Sequence, residues 1–284
     1  MCDDLTDADN RGIQNGMSRR DFAAGATIAG LALMLPVPAN ALAVKGRDVS
    51  ITTPDGVCDA YFVAPAKGKH AAVLVWPDIY GLRPAFRQMA ERLAMSGYAV
   101  LTVNPFYRTI KAPDLQAAGD RDVVRGQAGE ARKLLTPKAA ARDAVAFVAF
   151  IDKQPEVNKK RGIGTTGYCM GGPLVMQTAA AVPSRVRAGA SFHGGGLATD
   201  PMLALIPSMK ASFLIAIAEN DDARAPTDKD KLRVAFDAAK RPAEIEVYAG
   251  AMHGWCPPDS QVYNQVQADR AWERLLALFK KLLA

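Results

Sequence analysis

The chain has 284 residues, 49% of them hydrophobic and 23% charged, with a formal net charge of +6 and four cysteines. That length and apolar content bury a substantial core in one large domain or two small ones, and exclude a disordered chain. Lysines and arginines are scattered, the one cluster being "KKR" at 159–161, and no aromatic-basic interleaving marks a nucleic-acid platform, so the charge implies a solvated basic surface with a weak bias toward anionic small molecules.

Residues 1–43 read as an export leader. Arg19 and Arg20 are paired, an apolar stretch runs from Phe22 to Leu35, Pro36 and Pro38 break it, and small residues follow, with cleavage fitting after Ala41 or Ala43. The leader resembles the twin-arginine type, because the pair sits in Ser-Arg-Arg-Asp-Phe and the apolar stretch is rich in Ala and Gly. That stretch falls short of the ~20 residues a spanning helix needs, so a periplasmic or secreted protein without a stable membrane span is expected. Met17, directly before the motif, is an alternative start.

Losing residues 1–43 removes three arginines and five aspartates, taking the net charge from +6 to +8, and leaves Cys58, Cys169 and Cys256. Three thiols are odd in number and none has zinc spacing. Cys58 with Cys256 is the pairing to consider in an oxidising compartment, and one thiol must stay free.

"DVSITTP", Asp55-Gly56 and "VCDAYFVAP" read as a β-hairpin. Short apolar runs of parallel-strand character follow at 71–77, 98–104, 162–168, 188–194, 212–218 and 243–249. They alternate with helical stretches at 84–96, 138–153, 172–181, 227–240 and 262–282, while 105–137 reads as an excursion between strand and helix. Alternation of this kind predicts an α/β, mostly parallel doubly wound sheet, with ligands at the carboxyl ends of its strands.

"GYCMG" at 167–171 is a G-x-C-x-G turn between a strand and a helix. A turn that sharp needs glycine at both ends, holds the central residue at the strand tip, and points a helix N-terminus at its sulfur, favouring the thiolate. Cys169 is therefore the candidate nucleophile. A triad on this fold runs nucleophile, acid, histidine, which selects His253 in "GAMHGW" as the base. His70 precedes the first central strand, at the opposite end of the sheet. His193, in "SFHGGG", lies at the same mouth and is the alternative base, ranked behind His253 because it follows the elbow too closely for the usual chain order, or a residue that shapes the pocket. "IAENDDARAP" offers Glu219, Asp221 and Asp222 as the acid. The backbone N–H groups of Met170 and Ile79 are the candidate oxyanion donors, and Asp78 is expected near the sulfur, holding the thiol protonated.

With "PDIYGL", "GYCMGG", "DARAP" and "GAMHGW" in that order, and "AWERLLALFKK" after them, residues 48–284 resemble the dienelactone hydrolase family of α/β hydrolases. The resemblance implies an ester or lactone hydrolase with an acyl-enzyme on Cys169 and His253 as base, and that acyl-transfer chemistry implies neither a metal nor a cofactor. Its acid begins a D-x-x-x-P run, which selects Asp222, four before Pro226. It also implies substrate contacts from Arg108, the match to one of two arginines that clamp a substrate carboxylate, with Tyr107, Phe106 and Trp255 lining the pocket. The chain departs from the dienelactone-cleaving members in having Asp78 for glutamate and Pro257 for the second arginine. A non-catalytic binding protein on the same fold and a thiol redox or stress-response protein are the rival readings. A monomer is expected, a dimer being the alternative.

Overall fold

The computed structural model describes residues 35–283; the expected leader lies outside them except for residues 35–43. By its end the chain is on the domain: the Leu42 N–H donates to the Met95 carbonyl at 3.0 Å, and Ala66 N–H to the Ala43 carbonyl at 2.8 Å.

Strand β1 (Val44–Thr53) pairs antiparallel with β2 (Gly56–Pro65), and Gly56 takes φ 136° where the hairpin turns. Then come β3 (Ala72–Trp76), α1 (Pro84–Met95), β4 (Ala99–Val103), α2 (Ala112–Ala117), α3 (Arg121–Arg132) and α4 (Pro137–Ile151). The second half holds β5 (Ile163–Tyr168), α5 (Gly171–Ala181), β6 (Val186–Phe192), α6 (Asp200–Leu203), β7 (Ser212–Ala218), α7 (Glu219–Arg224), α8 (Asp228–Ala238), β8 (Ala243–Tyr248) and α9 (Gln265–Leu282).

These strands form one sheet in the order β1-β2-β4-β3-β5-β6-β7-β8, parallel from β4 onward. The expected hairpin and parallel strands are thus present. The stretch 105–137 is more regular than expected, since it carries two helices. Helix α3 starts where the Asp120 side chain accepts the Asp122 and Val123 amides, and buries Val124, Ala128 and Ala131, three and four residues apart.

Both faces of the sheet are covered. Phe147 and Val148 of α4, Val175 and Met176 of α5, and Leu232 and Phe236 of α8 pack on one face. Phe86, Met89 and Leu93 of α1, with Leu275 and Phe279 of α9, pack on the other. β5 is buried along its whole length, as a strand sandwiched between two helical layers must be. Because β3, β5, β6, β7 and β8 run parallel, their carboxyl ends share one edge, and the loops leaving them meet there.

Cys58 and Cys256 are free and buried. They belong to opposite faces of the sheet, so the considered pairing does not form; two thiols divided by a sheet are out of disulfide reach.

Candidate active site

At the tip of β5, Cys169 sits at φ 52°. The glycines around it are sterically required: a Cβ on Gly167 would stand 2.2 Å from the Gly171 carbonyl oxygen, and one on Gly171 2.3 Å from the Trp76 oxygen. α5 begins at Gly171, so the N-terminus of the helix lies beside the cysteine. Cys169 is disulfide-bonded in this structure, and the chemistry described below belongs to the reduced thiol.

Cys169 shares a small apolar cluster with Ile79, Phe106, Leu115, Val124 and Met170. The two candidate oxyanion residues therefore pack with the cysteine. Ile79 lies in the loop after β3, which turns tightly: Gly81 N–H donates to the Asp78 carbonyl at 2.9 Å, and Tyr80 N–H to Asp78 Oδ1 at 2.9 Å. The side chain of Asp78 takes a different path from the one expected. Its oxygens accept from Arg83 at 2.7 and 3.0 Å, so its charge is spent on a buried guanidinium rather than on the thiol.

The cysteine is linked through β6 to the histidine. Cys169 N–H donates to the Phe192 carbonyl at 3.0 Å, and the ring of the next residue, His193, lies 5.0 Å from that of His253, edge to face. His193 is buried with both ring nitrogens unpartnered, and its φ is 43°. Burial, and then the neighbouring His253, hold its pKa well below the ordinary value. Trp255 is fully buried, stacked on Tyr248 and edge-on to His193. It packs against His193 within the core rather than lining a pocket.

His253 Nδ1 lies 2.7 Å from Asp221 Oδ2. The carboxylate can only accept, so Nδ1 carries the proton and Nε2 keeps its lone pair. Asp222, selected by the D-x-x-x-P spacing, is not the partner: both of its oxygens accept from Lys229 Nζ, at 2.7 and 2.9 Å. The reason is helical phase. α7 begins at Glu219, immediately after β7, and each further residue turns about 100°. Glu219 Oε2 accepts the Gly250 N–H, Asn220 Oδ1 the His253 N–H, and Asp221 the imidazole, which leaves Asp222 facing α8. Asn220, which holds the histidine backbone at 2.9 Å, escaped the sequence reading; its place between the acidic residues was the signal. Asp221 also lines a cavity with Gly194, Gly195, Arg224 and Lys229.

Two expected substrate contacts turn inward. Tyr107 Oη donates to Asp143 and is 2.7 Å from Thr53 Oγ1. Arg108 donates to both Asp143 oxygens at 2.8 and 2.9 Å and to Asp55 at 2.7 Å. Asp143 is almost fully buried, and leaving it without a counter-ion would be costly, so Arg108 is drawn toward the hairpin turn. Among the described residues, no group of three or more His, Cys, Asp or Glu is placed to hold a metal ion, and no helix is long and apolar enough to cross a membrane.

A mostly parallel sheet, a sharp strand-to-helix elbow bearing the cysteine, and a histidine after β8 bonded to a carboxylate in the helix after β7 together define an α/β hydrolase. The dienelactone hydrolase family model matches residues 58–283, and the chain belongs to that family, a family of lactone and ester hydrolases. It is 26% identical over 227 residues to a carboxymethylenebutenolidase of Rhodococcus opacus, covering 76% of this chain and 83% of that one. It is 25% identical over 229 residues to a carboxymethylenebutenolidase of Pseudomonas putida, covering 80% and 93%. Among solved structures, a dienelactone hydrolase-like promiscuous phosphotriesterase from metagenomic libraries superposes with a TM-score of 0.70 at 22% identity, over 85% of this chain and all of that one.

Proposed function

We propose that the protein hydrolyses small carboxylic esters or lactones by acyl transfer, with Cys169 as nucleophile, His253 as base and Asp221 as the acid that orients it. The observation that carries this reading is the 2.7 Å contact between His253 Nδ1 and Asp221, on the rim where the cysteine elbow ends. With Nδ1–H held by the carboxylate, Nε2 carries the lone pair that takes the thiol proton.

The thiolate adds to the carbonyl carbon, forming a C–S bond, and the Met170 and Ile79 amides receive the negative charge that moves onto oxygen. Collapse breaks the ester C–O bond, and the His253 imidazolium gives its proton to the departing alkoxide. Water then attacks the thioester, His253 takes its proton, and the C–S bond breaks to release the acid and the thiol. In a lactone the leaving oxygen stays attached to the acyl part, so ring opening and hydrolysis give one hydroxy acid.

The test is turnover of short p-nitrophenyl esters and simple lactones by the purified protein under reducing conditions, beside Cys169→Ala and Cys169→Ser. Wild-type turnover that disappears in Cys169→Ala supports the reading, and an unchanged rate in that variant discards it. The paired arginines of the leader support export of this enzyme; periplasmic recovery that stops when Arg19 and Arg20 become lysine is the corresponding measurement.

A further inference from the structure

We propose that the acyl group this site accepts is uncharged and apolar, and that a carboxylate on it is selected against. The inference rests on the hydrolase reading above and names its substrate class.

Cys169 belongs to a buried apolar cluster. Ile79 and Met170 flank Cys169, and Phe106, Leu115, Val124 and Ala128 pack into the same cluster from the loop after β4 and from α2 and α3. An acyl chain entering there exchanges water for apolar side chains, which favours alkyl and aryl groups. A carboxylate entering there loses hydration and needs a cation in return.

The nearby cation is already consumed. Arg83 follows the oxyanion loop directly, and a guanidinium has five N–H donors. Nη1 gives to Asp78 Oδ1 at 2.7 Å and the Gly81 carbonyl at 3.3 Å, Nη2 to Asp78 Oδ2 at 3.0 Å and Asp259 Oδ1 at 2.9 Å, and Nε to Asp259 Oδ2 at 2.6 Å. All five donors are used, and the side chain is 5% exposed. The two carboxylates thus hold Arg83 in place beside the loop that carries Ile79.

Arg108 repeats the pattern between Asp55 and Asp143, at 8% exposure. Arg121 of α3 lies over the Tyr80 ring and donates to the Asp259 carbonyl. The basic balance of the whole chain, which suggested anionic substrates, therefore does not extend to Arg83 and Arg108, whose guanidiniums are held by carboxylates of the chain itself. Long-range attraction still favours anions in solution, so discrimination against them must originate locally.

The experiment compares p-nitrophenyl butyrate with p-nitrophenyl hemisuccinate, which share a leaving group and chain length but end in methyl and carboxylate. kcat/KM is measured for both at about 0.15 M and about 0.5 M salt, so that long-range attraction is screened in the second, and each value is divided by the hydroxide rate of that ester. The expected result is a preference for the butyrate of at least about tenfold at both salts, since an unpaired carboxylate in an apolar site is strongly disfavoured. A smaller preference, or a preference for the hemisuccinate, overturns the inference. If neither ester is turned over, or if turnover survives in Cys169→Ala, the hydrolase reading itself fails. Cys169-dependent turnover without discrimination leaves that reading standing and defeats the substrate class alone.

Discussion

Asp221 and Asp222 are adjacent in sequence yet serve different partners, the first bonded to the His253 imidazole at 2.7 Å and the second to Lys229 at 2.7 and 2.9 Å. The pair gives a direct internal control. Asp221→Asn reverses the tautomer preference of His253, because an amide that presents N–H to Nδ1 leaves the proton on Nε2. Ester turnover is expected to fall by roughly 10²–10⁴-fold in kcat. Asp222→Asn breaks a partly exposed ion pair worth about 0–1 kcal/mol and should change kcat by less than about threefold. Steady-state kinetics on the two variants would decide, and the reverse ranking would move the acid to Asp222.

Arg83 joins Asp78, in the loop that carries Ile79, to Asp259, six residues past His253. The Asp259 pKa is lowered even though burial opposes it, because the Arg83 hydrogen bonds and charge favour the ionised form. Removing one member of a buried pair leaves the others uncompensated, at about 3–5 kcal/mol. Arg83→Met should therefore lower Tm by roughly 5–15 °C. Arg83→Lys keeps the charge but cannot present two forks. The expected outcome for the lysine variant is a smaller Tm loss, with kcat reduced by about tenfold and KM nearly unchanged, since the loop proposed to hold the oxyanion is displaced rather than the ground-state contacts. An unaltered kcat in both variants would reduce Arg83 to a purely structural clamp.

The elbow was legible from five residues because its constraint is local: Gly167 and Gly171 face backbone oxygens within the turn itself and in the neighbouring strand. The strands were legible for a similar reason, since continuous apolar runs are what a sheet buried on both faces requires. Asp221 was not, because the choice between two adjacent carboxylates depends on where α7 starts, and a spacing to Pro226 does not encode that phase. Arg108 and Arg83 were misplaced or missed because their partners are remote. Asp259 lies 176 residues from Arg83, and nothing near either residue announces the other. The helix at 121–132 had a readable signal in Asp120 and the Val124, Ala128, Ala131 spacing, hidden by glycines at 126 and 129 and by dense charge.

The two free thiols are expected to be silent. Burial, helped by the Asp59 charge, pushes the Cys58 thiol up, and burial alone does the same for Cys256. A thiol needs its thiolate to react, so neither should be alkylated by iodoacetamide at pH 8 in the folded protein, while both react after unfolding in guanidinium chloride. Mass mapping of the alkylated peptides measures this. Rapid native labelling of Cys256 would favour a thiol redox role for the chain.

His193 makes stability depend on pH in a direction its surroundings determine. The groups that face it are the His253, Trp255 and Tyr168 rings, none of them an anion, and its nitrogens have no hydrogen-bond partner. Its folded pKa lies well below the ordinary value, through burial first and the His253 charge second, whereas the unfolded value is about 6.5. At pH 8 both states hold a neutral ring, and the group contributes no pH dependence. Below about pH 6.5 the unfolded chain takes up a proton that the native protein refuses, so stability falls as pH drops, by up to about 1.4 kcal/mol per pH unit for this proton. His193→Asn removes the titration and tolerates the positive φ of 43°. Urea unfolding at pH 7.5 and pH 5.5 should show a loss on acidification larger in wild type than in the asparagine variant by about 1 kcal/mol. Equal losses in the two proteins would mean that His193 takes up its proton in the native state as readily as in the unfolded one.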